Sequence, residues 1–181
     1  MKEGYPLMTT FTGRTLVPWR LTPADINIRD IARHLALTCR FNGALPAFYS
    51  VAQHSVHVSE YCPPGDALWG LLHDAGEAYL GDVIRPIKVH RSLTEFRMAE
   101  EIGLRAIAEC FNLPSKLPES VKLADNRMLQ TEWRDLRDGR DEALQCEPYN
   151  FTLKPVAWDA AELAFLLRFN ELMGDAAKEY L

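Results

Sequence analysis

A histidine and an aspartate stand side by side in the apolar stretch ALWGLLHDAGEAYLGD, and they are the residues best suited to chemistry. His73 and Asp74 are surrounded there by leucine, tryptophan, alanine and tyrosine. Burying an ionised aspartate without a partner costs several kcal/mol, so such groups are normally paired or bound to a metal ion. Either a cation compensates the charge of Asp74, or this stretch is less buried than its composition indicates.

Neutral imidazoles and carboxylates are ligands for divalent transition metals, which makes a metal site the first interpretation. Besides His73 and Asp74, the candidates within predicted helices are His54 and Asp125. His57 follows His54 by three residues and competes with it for the same role, because both lie on one helix face. Spacing alone does not establish that these side chains converge, since a single histidine on a mixed face is usually structural.

The elements that must position these residues are predicted to be helices. Apolar residues recur at helical spacing between glycine and proline breaks, whereas strand signals are weak apart from a short hairpin in the first twenty residues. The fold class is therefore predicted to be all-α, a bundle of about six helices in one domain, 1–181. The predicted helices cover about 24–39, 50–62, 66–81, 92–111, 118–136 and 157–178.

Several residues mark the predicted ends of these helices. Asp25, Ser50 and Asp66 are expected to cap the first three helices, because their side-chain oxygens can accept from the free N–H groups of a first turn. Gly81 is expected to end the third helix. The segment DVIRPIK, 82–88, is expected to be a loop.

Composition excludes several classes of function. The 181 residues are 48% hydrophobic and 25% charged, which is typical of a globular protein. A net charge of −5 argues against a binding surface for long nucleic acids. The N-terminal stretch lacks the apolar centre of a signal peptide, and no apolar run is long enough to span a membrane, so we expect a cytoplasmic protein without a membrane partner. The four widely spaced cysteines form no C-x-x-C pair, which excludes a zinc ribbon.

Three segments, YSVAQHSVHVS, LLHDAGEAYLGDVIRPIK and VKLAD, together resemble the H…HD…D signature of the HD-domain phosphohydrolases. The resemblance extends over about 19–136 and is closest to the bacterial 5′-deoxynucleotidases and the phage dATP triphosphohydrolases. It implies a single helical HD domain that binds a divalent ion, zinc, cobalt or manganese, with magnesium at a second site as a further option. The implied ligands are His54, His73, Asp74 and Asp125.

The resemblance also implies roles for two further carboxylates. Glu77 follows Asp74 by three residues and would orient a water or handle its proton, although an isolated glutamate is more often a surface ion-pair partner. Asp82 follows the third helix and would read the sugar hydroxyl of a deoxynucleotide. A cap for the following turn is an equal alternative for Asp82.

Three basic residues are candidates for neutralising the phosphates of a nucleotide, namely Arg40, Lys88 and Lys122. Lys122 and Asp125 share a predicted helix face, so we expect the ammonium beside the metal. The alternative for each lysine is a solvated surface charge. Lys88 is the residue for which this alternative competes most seriously.

Two residues are candidates for the wall of a base pocket. Phe41 could stack on a base, although the related enzymes tend to have tryptophan at the matching position. Pro86 matches a pocket-wall residue of the phage enzyme. The departure at Phe41 leaves the preferred base open.

The implied activity is attack of water on the α-phosphorus of a deoxynucleotide. The expected reaction is that of a dNTP triphosphohydrolase of the dATP type, which releases deoxynucleoside and triphosphate. A 5′-deoxynucleotidase acting on monophosphates is the alternative, and a nucleotide-binding module without catalysis is the second alternative. Apolar residues on more than one face of the last helix lead us to expect a homo-oligomer.

Overall fold

The computed structural model describes residues 4–137, 139, 141–142 and 144–180, and most of these residues are helical. The predicted all-α class is confirmed. Two strands near the N-terminus form the one sheet of the described residues. The strands are β1 (Met8–Thr9) and β2 (Thr15–Leu16), and the helices are α1 (Ile28–Leu37), α2 (Val51–Tyr61), α3 (Ala67–Leu72), α4 (Glu77–Leu80), α5 (Arg85–Lys88), α6 (Thr94–Cys110), α7 (Glu119–Arg137) and α8 (Trp158–Met173).

The short hairpin expected in the first twenty residues is confirmed. Strands β1 and β2 pair antiparallel, with Met8 opposite Leu16. Gly13 lies in the connecting turn with φ +82°, a conformation that glycine adopts without the steric cost of a Cβ atom. Leu16 is buried, so the hairpin contributes a side chain to the hydrophobic core.

The first helix begins later than predicted, and Asp25 does not cap it. The side chain of Asn27 accepts hydrogen bonds from the backbone N–H groups of Arg29 and Asp30, which makes Asn27 the cap. Asp25 instead accepts from the backbone and hydroxyl of Thr22 in the preceding 3₁₀ turn. The prediction failed because both turns offer free N–H groups within a few residues of each other.

The second helix begins where the sequence predicts. The Ser50 side chain accepts a hydrogen bond from the backbone N–H of Gln53 and caps α2. Residue 54 therefore lies in the second turn of a well-anchored helix. His54 is fully buried there.

The predicted third helix, 66–81, is wrong as a single element. It forms α3 and α4, which are separated by a tight turn over residues 73–76. The Ala75 N–H donates to the carbonyl of Leu72 and the Glu77 N–H to that of Asp74, so the chain is wound more tightly than an α-helix. His73 and Asp74 therefore lie on this turn between α3 and α4.

Of the two residues predicted to mark the ends of that segment, one is confirmed and the other is wrong. Gly81 ends α4 with φ +84°, as predicted. Asp66 does not cap α3, because its carboxylate accepts a hydrogen bond from the hydroxyl of Ser120 on α7. The loop predicted over 82–88 is also wrong in part, since its second half forms α5 with Pro86 near the start of the helix, where the missing N–H is tolerated.

Two clusters of buried apolar side chains lie on either side of α2. One cluster joins α1, α2 and α8, with Ile31, Val51 and Phe165 fully buried. The other joins α2, α3 and α7, and Trp69 and Met128 are buried in it. Helix α2 therefore lies between the two clusters, and its polar residues are held by packing on both sides.

The last predicted helix is confirmed as α8, although it ends before residue 178. Gly174 has φ +56° and ends it. Phe165 and Phe169 are buried, whereas Leu163 and Leu167 are each 58% exposed. The expected core burial is therefore confirmed, and the expected subunit contact stays a prediction. Neither α8 nor any other helix in the described residues is long and apolar enough to cross a membrane.

Candidate metal centre

Side chains from three elements converge at one point of the fold. His54 comes from α2, His73 and Asp74 come from the turn between α3 and α4, and Asp125 comes from α7. The Nε2 atoms of the two histidines lie 3.3 Å apart. An oxygen of Asp74 lies 3.2 Å from Nε2 of His73, and one of Asp125 lies 3.1 Å from Nε2 of His54. The structure thus brings together all four residues that the resemblance implies as ligands.

Hydrogen bonds on the far side of each ring fix which nitrogen faces the cluster. Nδ1 of His54 donates to a carboxylate oxygen of Glu132 at 2.6 Å. Nδ1 of His73 donates to the backbone carbonyl of Gly70 at 2.8 Å. When these rings are neutral, the single proton of each is used there, so both Nε2 lone pairs point into the cluster. This arrangement of a ligand nitrogen and an anchored second nitrogen is characteristic of metal-binding histidines.

The distances within the cluster fit ligands that share one ion. Metal bonds to histidine nitrogen and carboxylate oxygen are about 2.0 to 2.2 Å long, so neighbouring ligand atoms lie about 3 to 4 Å apart. The distances from the two Nε2 atoms to each other and to the nearest oxygens of Asp74 and Asp125 range from 3.1 to 3.9 Å. Without a proton or a metal ion between them, two lone pairs and two carboxylates facing one another repel. His54, His73 and Asp74 therefore form a possible metal-binding triad, with Asp125 beside it.

The pKa values of these groups indicate that the cluster favours a bound positive charge. Burial lowers the pKa of His73, but the carboxylate of Asp74 more than offsets this and raises the pKa to about 9. Burial favours the neutral form of Asp74, and His73 together with His54 and Arg40 outweighs it, so the pKa of Asp74 lies well below its usual value. Burial also favours the neutral form of Asp125, but the hydrogen bond to His54 and the charges of His73 and His54 together outweigh it, so the pKa of Asp125 is lowered. Both carboxylates are therefore held in their anionic form.

Arg40 lies next to the cluster and is linked to it through a buried glutamate. Its Nε and Nη2 atoms donate to one oxygen of Glu132 at 3.2 and 2.9 Å. Its Nη1 atom lies 3.6 Å from a carboxylate oxygen of Asp74. The guanidinium therefore adds a fixed positive charge at the edge of the cluster.

A cavity of about 300 Å³ opens beside the cluster and is lined by charged side chains. Its lining includes His73, Asp74 and Glu77 together with Lys88, Arg97 and Glu100. The cavity is large enough for a phosphate group and part of a sugar. It therefore offers a small molecule direct access to the candidate ligands.

Glu77 lines this cavity, and only one of its two carboxylate oxygens has a partner among the described residues. Its Oε1 lies 3.5 Å from the ammonium of Lys88. Its Oε2 is buried and has no hydrogen-bond partner among the described residues. Burial, followed by the nearby carboxylates of Asp74 and Asp82, raises the pKa of Glu77 well above its usual value. A carboxyl in such surroundings is suited to exchange a proton with a molecule in the cavity.

Comparison with known proteins places the chain in a family. No family model matches it. The protein YfdR of Escherichia coli, described as uncharacterized, is 40% identical over 170 residues, which span 90% of this chain and 93% of YfdR. This chain belongs to the YfdR family. An uncharacterized protein of Rhodobacter capsulatus is 39% identical over 137 residues, or 68% of this chain and 66% of that protein.

Two residues of this YfdR-family chain that were considered for the site lie apart from the cluster. Lys122 is exposed on α7, and its ammonium pairs with the carboxylate of Glu119 at 2.6 Å, so the structure does not bring it beside Asp125 as expected. His57 hydrogen-bonds to Glu60 rather than joining the ligands. The His57 side chain is partly exposed.

Asp82 and Pro86 lie on the segment that follows α4 in the YfdR-family fold. Asp82 is partly buried, and burial followed by the charge of Asp74 raises its pKa against the opposing effect of Arg40 and Lys88. These charges place Asp82 within electrostatic reach of the cluster. Pro86 is exposed on α5.

Phe41 follows Arg40 directly and adopts a left-handed backbone conformation with φ +55°. The edge of its ring contacts Trp133 of α7, with the ring centres 6.1 Å apart. The guanidinium of Arg137 lies 4.5 Å from the centre of the Trp133 ring and 6.0 Å from that of Phe41. Trp133 was not expected from the sequence, and it supplies a second aromatic ring beside the predicted one.

Glu132 is the functional candidate that sequence reasoning missed most clearly. It is fully buried and contacts both His54 and Arg40. It follows Asp125 by seven residues, close to two helical turns, so both lie on one face of α7. The seven-residue spacing from Asp125 is the signal in the sequence that points to Glu132.

Proposed function

We propose that this chain is a metal-dependent phosphohydrolase of the HD-domain type that acts on deoxynucleotides. The observation that carries the proposal is the convergence of two histidine nitrogens and two carboxylates at 3.1 to 3.9 Å, next to a cavity. Arg40 lies on one side of this group, and Glu77 lies on the wall of the cavity. Such a set combines a cation site, a fixed positive charge and a proton acceptor, which are the groups that hydrolysis of a phosphate ester requires.

The proposed reaction breaks the ester bond between the α-phosphorus and the 5′ oxygen of the sugar. A water adds to phosphorus and the 5′ oxygen leaves. The water loses a proton and the leaving oxygen gains one, so the products are a deoxynucleoside and a free phosphate. A divalent ion held by His54, His73, Asp74 and Asp125 would polarise a phosphate oxygen and lower the pKa of a bound water.

The side chains around the cavity divide the remaining tasks between them. Glu77 orients the water and takes its proton, which the partnerless Oε2 and the raised pKa support. Arg40 offsets the charge of the phosphate, and Lys88 adds a second cation from α5. Asp82 is assigned to the sugar hydroxyl, and Phe41 to one face of the base.

Removal of one phosphate from a monophosphate is the version that the charges of the cavity favour. Four carboxyl groups line it, those of Asp74, Glu77, Glu100 and Glu101, against two cations, Lys88 and Arg97, and the guanidinium of Arg97 already donates to the carbonyls of Lys88 and His90. The ammonium of Lys88 is already 2.7 Å from Glu100. A triphosphate chain would bring several more negative charges towards these carboxylates, and repulsion at such distances costs several kcal/mol in a partly buried site. The dNTP triphosphohydrolase expected from the resemblance is therefore the second candidate.

A product assay tests the proposal directly. The metal-loaded protein is incubated with a panel of deoxynucleoside mono- and triphosphates, and orthophosphate is separated from triphosphate. We expect orthophosphate from monophosphates, no product after chelation, and none from the His73→Ala variant. Triphosphate released from a dNTP would favour the second candidate. Nucleotide binding without any product would contradict hydrolysis and support a binding module.

A further inference from the structure

Glu132 connects the candidate metal centre to the candidate phosphate-binding arginine, and it is not among the residues that line the cavity. Its side chain has no exposed surface. One oxygen, Oε1, accepts from Nδ1 of His54 at 2.6 Å. The other, Oε2, accepts from Nε and Nη2 of Arg40 at 3.2 and 2.9 Å. Each oxygen of this buried carboxylate thus serves a different residue of the site.

We propose that Glu132 is a positioning residue that sets the tautomer of His54 and the direction of Arg40, and thereby the affinity of the site for its metal ion. The part that concerns phosphate rests on the proposed function, whereas the part that concerns the metal ion does not. Hydrogen-bond partners of metal-binding histidines commonly act in this way, by fixing the ring and increasing its basicity.

The tautomer of His54 depends on the group that faces Nδ1. A carboxylate can only accept, so it keeps the proton on Nδ1 and leaves Nε2 free as a ligand. An amide in the same place must satisfy His54 and Arg40 with one oxygen and one NH₂ group. If the NH₂ group faces His54, the ring proton moves to Nε2 and blocks the ligand position; if it faces Arg40, two donors meet in a buried site.

The direction of Arg40 depends on the same carboxylate. Two of its nitrogens are held by Glu132, so the third, Nη1, is left at 3.6 Å from Asp74. Without the charge of Glu132, the strongest remaining attraction on the guanidinium is Asp74 itself. Closer pairing with Arg40 would weaken Asp74 as a ligand, because an arginine and a metal ion compete for the same carboxylate.

The test compares the affinity for Co²⁺ of wild type, Glu132→Gln and Glu132→Asp, measured by calorimetry on metal-free protein. Asp30→Asn is the matched control, because Asp30 is an equally buried carboxylate that accepts from the backbone and hydroxyl of Thr12, away from the cluster. We expect the affinity of Glu132→Gln to fall about 10- to 100-fold. Glu132→Asp keeps the charge but is too short for both partners, so its affinity should lie between the two. Asp30→Asn should melt at a lower temperature and keep wild-type affinity.

The outcomes separate the inference from the proposed function. Wild-type affinity in both Glu132 variants contradicts the inference, even if the wild type hydrolyses nucleotides. Loss of affinity in Glu132→Gln supports it, even if no nucleotide is hydrolysed. If Glu132→Gln does not fold, the affinity of Glu132→Asp decides, with wild-type affinity as the contradicting result. An equal loss in Asp30→Asn would also contradict it, since the effect would then follow from any buried charge.

Discussion

The Nε2 atoms of His54 and His73 face each other at 3.3 Å, and each ring donates its Nδ1 proton to a partner on its far side. Two neutral imidazoles held in this way present lone pairs to each other and gain nothing from the contact. A proton or a metal ion shared between the rings removes this repulsion, and the raised pKa of His73 indicates that the surroundings favour a positive charge there. This relationship joins the fold to the proposed chemistry, because the two residues are nineteen positions apart in sequence.

Replacing Glu77 by glutamine is expected to lower turnover strongly and leave metal binding intact. The amide cannot accept a proton from water, and loss of a general base lowers the rate by about 10²- to 10⁴-fold. The measurement is kcat with metal content determined on the same sample. Glu109→Gln on the exposed face of α6 is the matched control and should keep full activity. A wild-type rate in Glu77→Gln would return Glu77 to a structural role.

Replacing Lys88 by alanine is expected to weaken substrate binding, whereas the same change at Lys122 is not. Lys88 lines the cavity and pairs with Glu77 and Glu100, while Lys122 is exposed and pairs with Glu119. A charged hydrogen bond to phosphate contributes about 1.5 to 3 kcal/mol, which corresponds to a rise in KM of about tenfold or more. Equal KM values for the two variants would show that Lys88 does not contact the phosphate.

Replacing Phe41 by alanine is expected to raise KM more than it lowers kcat. Stacking of a base on an aromatic ring contributes about 1 to 3 kcal/mol, or about a 5- to 100-fold change in affinity. Phe11→Ala is the control, because Phe11 is an exposed ring that contacts the guanidinium of Arg33, away from the cluster. If KM is unchanged and only the melting temperature falls, Phe41 packs against Trp133 without contacting a base.

Gly70→Ala is expected to destabilise the protein and weaken metal binding together. A Cβ atom there would lie 2.8 Å from the sulfur of Cys62 and 3.0 Å from the Cα of Ser59, so α2 and α3 would have to separate. Overpacking of this kind costs about 1 to 3 kcal/mol. The Gly70 carbonyl also holds Nδ1 of His73, so the ligand would move with it.

Chemical denaturation and metal titration of the same samples measure both effects. Gly65→Ala is the control, because nothing lies within 4 Å of a Cβ atom at that position. Gly70→Ala with wild-type stability would mean that α2 and α3 can separate at no cost. Gly70→Ala with lower stability but unchanged metal affinity would mean that the position of His73 as a ligand does not depend on its hydrogen bond to the Gly70 carbonyl.

Much of the fold could be predicted from the sequence because the signals are local. Ser50 caps α2 and Gly81 ends α4 through contacts within a few residues, and apolar spacing was sufficient for the all-α class. The break at residues 73–76 could not be predicted in this way. No proline marks it, Gly76 keeps right-handed helical dihedral angles, and the bond from the His73 ring to the Gly70 carbonyl cannot be recognised from residue spacing.

The candidate metal ligands could be predicted from the sequence, but the residues that hold those ligands in place could not. A resemblance in sequence order was enough to name His54 and Asp125, whereas Glu132 acts only through contacts with α2 and with residue 40. Lys122 shows the converse limit. Helical spacing places Lys122 on the same face of α7 as Asp125, but in the structure its side chain is exposed to solvent and pairs with Glu119.

The most direct test is an equilibrium titration of metal-free protein with Co²⁺, followed by its visible absorption, in wild type and in the His73→Ala and Asp74→Asn variants. The convergence of ligand atoms predicts one ion per chain in the wild type, with an absorption spectrum typical of nitrogen and oxygen ligands, and loss of this binding in both variants. Binding of no ion by the wild type, or the same stoichiometry and spectrum in all three proteins, would contradict a metal centre at this cluster.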